Sequence, residues 1–422
     1  MSTSSRPARR VRRLSRARTA ALALVVVVGG LALAGCGASA PSSGGNGGGG
    51  GTSVQAGADG AQDGAASAPA GHISANVHAK QKNVAVDTQV KVDGSNGRLE
   101  DVSLTSAKSG QVAGTLAADG SSWQADGLLE PGSAYVLKAT LTGADGQTVT
   151  KTRRFTTQSL TLAQQTYPSI SPLAGQTVGV GMPVIVKFDV PVTDRASIEK
   201  HLSVTSVPAQ AGSWHWFSNT EVHWRPKHYW KAGSTVTVHA DVNGVSAGNG
   251  VYGQTSRDVT FHVGDRHIYK VDLKTDQMKV FSNGKLLRTI PVTGGQPGFT
   301  TRSGIKVIIQ KYAKHTMNSE TIGIPKGDPN YYDMKDVQWA MRMTFSGEFL
   351  HAAPWSVASQ GHANVSHGCT GMSTANADWL YHMTRVGDVV EESGTNRPQE
   401  VTNGYGDWNL SYQDYKLGSA LA

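Results

Sequence analysis

The chain is expected to be mainly β: two antiparallel sandwiches, then a third β-rich unit with one main helix. Three observations carry this. Short runs alternating apolar with polar residues recur from residue 72 onward, broken by turn dipeptides such as Asp93-Gly94, Asp119-Gly120, Pro131-Gly132 and Asp145-Gly146. Asn283-Gly284 lies between two such runs, the strongest short signal for a hairpin. Helical periodicity is persuasive only after Cys369, where Trp379, Leu380 and Met383 share a face.

Residues 1–35 hold seven arginines, no acid and an apolar run from about residue 20 to 34. A positive region, a short apolar stretch and small residues at its end make a signal-peptide layout. The apolar run is shorter than the roughly 20 residues of a membrane span. Leu33-Ala34-Gly35-Cys36 resembles a bacterial lipobox. That resemblance implies cleavage before Cys36, lipidation of its thiol, and an exported protein held on the outer face of the cytoplasmic membrane. The formal net charge is +8, and removing the seven leader arginines leaves +1 on residues 36–422. The basic balance therefore belongs to the leader and gives no support for nucleic-acid binding.

Residues 36–71 are Gly, Ser and Ala with almost no large apolar side chain, a composition that buries no core. As a coil this tether spans roughly 30–35 Å. The first sandwich is placed at residues 72–158. Val84, Val86, Thr88, Val90 and Val92 are expected on one face of an extended segment, and residues 135–141 form another strand. The second sandwich is placed at residues 159–264, with strands at 184–188, 222–224, 235–242 and 259–263. Trp214, Trp216, Trp224 and Trp230, with His215 and His223, could form a sugar platform. Tryptophans in short sandwich strands more often fill the core, and that reading is preferred.

The third unit, residues 265–393, opens with strands at 268–273, 278–281 and 286–292. Ser373 or Thr374 caps the helix and Gly387 ends it; a strand follows through Val389 and Val390. Residues 314–336 are rich in Gly, Pro, Asn and Tyr without period, as in a lid loop. The tail, residues 394–422, carries Tyr405, Trp408, Tyr412 and Tyr415, which points to docking on the folded body.

The chain has two cysteines, Cys36 and Cys369. An exported chain normally uses cysteines as disulfides, yet these two are placed for different chemistry. Cys369 closes Ser366-His367-Gly368-Cys369. A free thiol has a pKa near 8.5 and needs a base to become a nucleophile. His367, sharing a face with Cys369 if the segment is extended, and His351, 18 residues upstream, are candidates. The N–H groups of Gly368 and Cys369 are candidate oxyanion donors, and glycine lets the backbone approach a substrate. The competing readings are an inert buried thiol and a zinc site built from His315, His351, His362, His367 and Cys369. The zinc reading lacks a recognised ligand spacing and an orienting carboxylate, and no metal or other cofactor is expected.

His351, fourteen residues, then Ser366-His367-Gly368-Cys369 resembles the L,D-transpeptidase signature. The runs from His351 to Ser356 and from Gly361 to Asn364, and Trp408 in the tail, resemble actinobacterial multidomain members. Those combine an anchored N-terminus, two immunoglobulin-like domains and a YkuD-type catalytic domain. The resemblance implies that Cys369 attacks the third residue of a peptidoglycan stem, releases D-Ala and forms 3→3 cross-links through a thioester. It implies His351 as general base and acid, oriented by the Ala352 carbonyl, with His367 and Gly368 on the oxyanion side. Substrate contacts would come from Tyr332 (Tyr331 as rival), Met317, Ser346, Gly347, Trp355, Ser366 and Gly371. Many members carry Asn at the last position, so a side-chain contact is lost there. Carbapenem acylation at Cys369 and a monomeric enzyme are also expected. The rivals are an L,D-carboxypeptidase using the same cysteine and a non-catalytic wall-binding lipoprotein.

Overall fold

A computed structural model describes residues 68–422; Cys36, the leader and almost all of the tether lie outside the described residues. The first sandwich pairs two four-stranded sheets, with its longest strands at Gly97–Ser106, Ala134–Gly143 and Thr148–Thr156. The segment from Val84 to Val90 is not the strand its alternation predicts. It makes one isolated bridge, Val84 to Thr157, and regular pairing begins only at Lys91–Ser95. Val84, Val86, Val90 and Val92 are nevertheless all buried. The apolar positions report burial correctly there, while a turn closed by the Thr88 N–H on the Ala85 carbonyl at 3.1 Å interrupts the ladder.

The second sandwich also has two four-stranded sheets and a small three-stranded one. The expected strands appear at Val184–Phe188, Glu221–Pro226, Thr235–Ala240 and Arg257–Val263. All four tryptophans of the proposed sugar platform are buried core residues. Trp216 donates its indole N–H to Glu199 and Trp230 donates to the Met182 carbonyl, so both polar handles are satisfied inside. This core runs on into the third unit through Ile268 and Val389.

Numbering the third unit by itself, its strands are β1 (His267–Asp272), β2 (Gln277–Ser282), β3 (Lys285–Pro291), β4 (Gly304–Val307), β5 (Gln310–Asn318), β6 (Asp333–Arg342), β7 (Phe349–Ala352), β8 (Thr370–Met372) and β9 (Val389–Ser393). They form a five-stranded sheet, β3-β2-β1-β9-β4, and a four-stranded sheet, β5-β6-β7-β8. Asn283 and Gly284 both have positive φ and turn the β2–β3 hairpin, as the dipeptide predicts. Between the sheets lies an apolar core of Tyr269, Met278, Ile290, Met341, Leu350 and Met372, closed by Leu380 of helix α1 (Thr374–Met383). Ser373 caps this helix, but it ends at Thr384 rather than Gly387. The Thr384 hydroxyl turns back onto the Leu380 carbonyl and stops it early. The expected loop 314–336 is also shorter than its composition implies, since β5 and β6 extend into both of its ends.

The tail docks on the second sandwich and on β4. Trp408 donates to the Gly181 carbonyl at 2.8 Å, and Tyr415 is fully buried with its hydroxyl on Asp407 at 2.9 Å. Asp407 accepts from His223 at 2.9 Å, both side chains being buried. Burial alone pushes His223 down, but the Asp407 and Glu221 carboxylates outweigh it and raise the imidazole to about 9. A raised histidine stabilises the fold fully below its unfolded pKa near 6.5 and loses that contribution as pH rises through the folded value. Stability should therefore fall between about pH 6.5 and 9. Asp407→Asn should cost about 3 kcal/mol at neutral pH and flatten that slope, as read by denaturant titrations at pH 6, 7.5 and 9.5.

Candidate active site

Strands β7 and β8 run parallel, with His351 opposite Gly371. Cys369, just ahead of β8, is thereby brought beside the strand that carries His351. The two side chains share an apolar cavity of about 270 Å³, lined also by Thr293, Met317, Tyr332, Met334, Trp355 and His367. Cys369 is the free cysteine among the described residues and is half-buried. Its thiol donates to the Gly347 carbonyl at 3.5 Å, and no hydrogen bond joins it to His351. Burial pushes the thiol up to about 12; the Phe349 backbone pulls the other way, and Glu348 adds to the rise.

His351 is buried, and burial lowers its pKa, so at neutral pH it is the neutral imidazole. Its Nδ1 lies 2.8 Å from the Ala352 carbonyl. An acceptor there puts the proton on Nδ1 and leaves the Nε2 lone pair free. Trp355, half exposed, stacks on the ring at 5.8 Å between centroids.

The Ser366-to-Cys369 segment is not extended. Gly368 has φ +118°, a conformation open to glycine and strained for other residues. The resulting bend does not put His367 and Cys369 on one strand face; His367 instead lies between the rings of Phe299 and Tyr332. Its Nε2 is buried without a partner. Ser366 is committed to the bend itself: its hydroxyl donates to the Cys369 carbonyl at 2.6 Å and accepts from the Gly368 N–H at 3.1 Å. Of the two expected oxyanion donors, Gly368 is therefore occupied, and the Cys369 N–H has no hydrogen bond among the described residues.

Tyr332, not Tyr331, lines the cavity; burial and the neighbouring Cys369 raise its hydroxyl to about 12. Met317 is buried on the same wall. Ser346 is exposed and outside the cavity lining: its N–H and hydroxyl both face Asn403 of the tail. Gly371 lines the cavity, but its N–H and carbonyl are both bonded to Thr293, so its contribution is a wall rather than a donor. Of the residues of the zinc reading, only His351, His367 and Cys369 line the cavity. His315 stacks against Tyr312 and Phe349 and His362 is exposed, and no metal-holding group of three is found among the described residues. Missed in the sequence were Lys306, Glu348 and Glu392, charged yet buried beside the cysteine. Their signal was a charge inside the apolar run 305–309, a charge directly after Val389-Val390-Glu391, and a charge within the run before His351.

Fold and cavity together have the form of a multidomain enzyme with a thiol and an imidazole in one cleft. Residues 266–391 match the L,D-transpeptidase catalytic domain (YkuD), and residues 81–246 match the bacterial Ig domain. L,D-transpeptidase 2 of Mycobacterium tuberculosis is 36% identical over 351 residues, covering 83% of this chain and 85% of that protein. L,D-transpeptidase 5 of the same species is 32% identical over 341 residues, covering 79% and 73%. A solved L,D-transpeptidase in complex with imipenem is 36% identical, covering 53% of this chain and 97% of that one, with a TM-score of 0.48. The chain belongs to the L,D-transpeptidase family and is an enzyme of that kind.

The tight fit at Gly371 is testable. An added Cβ would lie 2.8 Å from the Ala353 Cβ, with Gly371 held in β pairing and the Ala353 N–H bonded to the Met372 carbonyl at 2.7 Å. Gly371→Ala should destabilise the protein by about 1–3 kcal/mol in denaturant titration. Adding Ala353→Gly should recover most of the loss; no recovery would show that the clash lies elsewhere.

Proposed function

We propose that this enzyme forms 3→3 peptidoglycan cross-links through a thioester on Cys369. The observation that carries the reading is the shared apolar cavity of Cys369 and His351, with the Ala352 carbonyl holding Nδ1. The thiol proton passes to His351 Nε2 as sulfur attacks the carbonyl of the third residue of a tetrapeptide stem, a meso-diaminopimelate-type residue. The oxyanion falls to the Cys369 N–H and the Tyr332 hydroxyl, which burial keeps protonated. His351 returns its proton to the leaving D-Ala amine. A side-chain amine of a second stem then attacks the thioester, its proton goes to His351 and on to the departing thiolate, and Cys369 is restored.

Both groups start neutral, which fits proton transfer during attack better than a standing thiolate–imidazolium pair. Trp355, Met317 and Met334 supply the apolar wall that excludes water, favouring an amine acceptor over hydrolysis. Domains at 72–158, 159–264 and 265–393, an exported chain lipidated at Cys36 and a monomeric state complete the proposal. Acylation of Cys369 by carbapenems belongs to it too, by likeness to the imipenem-bound relative.

Mass spectrometry tests both halves. The purified chain should gain one carbapenem mass, and Cys369→Ala none; a shift in the alanine variant would remove the nucleophile assignment. With disaccharide-tetrapeptide, a cross-linked dimer lacking one D-Ala is expected. Trimmed tripeptide without dimer would make the enzyme an L,D-carboxypeptidase.

A further inference from the structure

A group of charges is sealed beneath the thiol. The Lys306 and Glu392 side chains have no exposed surface, and those of Glu348 and Arg302 are 5% and 10% exposed. Lys306 Nζ donates to the carboxylates of both Glu348 and Glu392. Arg302 donates from Nη1 to Glu348 at 2.9 Å and from Nε to the half-exposed Glu400 at 2.5 Å. Two buried cations thus balance two buried carboxylates.

Stability alone is a poor reason for such a group, since apolar side chains of similar volume usually serve as well or better. Its placement offers another. Glu348 sits between Gly347, whose carbonyl receives the thiol, and Phe349, whose backbone faces the sulfur. Glu392 accepts at 2.6 Å from the hydroxyl of Thr370, the residue after Cys369. Thr301, the residue before Arg302, donates to the Gly368 carbonyl at 2.9 Å. The network therefore grips the nucleophile segment before and after the cysteine, and the opposing strand as well.

We propose that Lys306, Glu348 and Glu392 are positioning residues that hold Cys369 against the Gly347 carbonyl and, by the sign of each charge, set how readily the thiol loses its proton. The proposal rests on reading Cys369 as the nucleophile. Burial has the largest influence on the thiol; among the charges, Glu348 and Glu392 hold it up and Lys306 draws it down. Tyr332, His351 and His367 face it across the cavity and are neutral near pH 7.5, while Arg302 and Glu400 lie beyond Glu348.

The test is the pH dependence of iodoacetamide alkylation, followed on the Cys369 peptide of the full chain. Glu392→Gln and Glu348→Gln keep the shape and most hydrogen bonds while removing a negative charge. Each should raise the rate at pH 8 by about threefold to tenfold, one pKa step tempered by the lower nucleophilicity of a more acidic thiol. Lys306→Met should slow it by a similar factor. The double variant Lys306→Met/Glu392→Gln, which restores buried charge balance, should return toward wild type. If Lys306→Met does not accumulate folded, the double variant and Glu392→Gln decide. Changes in the same direction in every variant, or unchanged alkylation with only a lower melting temperature, would overturn the proposal. Carbapenem acylation measured in parallel separates the two readings. If the alkylation pattern holds but wild type is not acylated, acyl transfer fails and the network stands.

Discussion

The parallel pairing of β7 with β8 is the constraint on which the site depends. His351 and Cys369 are 18 residues apart, and only strand register brings them to one cavity. Side chains alternate across a sheet, so a slip of one residue would send the imidazole to the opposite face. The register is held from several sides. Leu350, the residue before His351 on β7, is fully buried in the core, and Thr293 pairs with Gly371 from the other edge of β8. A parallel pair also requires a crossover rather than a tight turn. Here that crossover carries Trp355 over His351 and then bends at Gly368 to present Cys369.

Burial then decides the resting chemistry. It raises the thiol and lowers the imidazole, so neither partner is charged near neutrality. A standing ion pair would carry the desolvation cost of this largely apolar cavity. The Gly347 carbonyl gives the thiol an acceptor meanwhile. On the proposed reading, substrate must replace that contact and align sulfur with Nε2, which ties proton transfer to occupancy of the cleft.

Much of this was legible in the sequence, and the failures share a cause. The hairpin at Asn283-Gly284, the strands of the second sandwich and the helix after Ser373 rest on local turn chemistry and periodicity, and they stand in the structure. The Val84–Val90 segment failed because alternation reports which side chains are buried, not whether the backbone turns between them. Ser366 and Ser346 lay in or beside the motif, yet their hydrogen bonds go to the Cys369 bend and to Asn403 of the tail. Lys306 and Glu392 were overlooked for a further reason. A charge in a strand ordinarily marks its solvent face, and only the fold shows that these face each other.

The tail links these elements. β4 is an edge strand of the five-stranded sheet, and an edge leaves N–H and C=O groups unpaired. Asn409 supplies the missing partner: its amide accepts from the Ile305 N–H and donates to the Ile305 carbonyl. Lys306 is the next residue, with its side chain in the buried network under Cys369. The tail reaches Asn409 from Trp408, fixed on Gly181, and continues to Leu410, whose carbonyl holds Arg225. Arg225 lies 4.7 Å from the Trp408 ring and 4.4 Å from that of Tyr415. The second sandwich is thus joined through the tail to β4, and through Lys306 to the Cys369 segment. On this arrangement the sandwich is part of what holds the strands carrying His351 and Cys369 in register, and its tryptophans contribute by being buried.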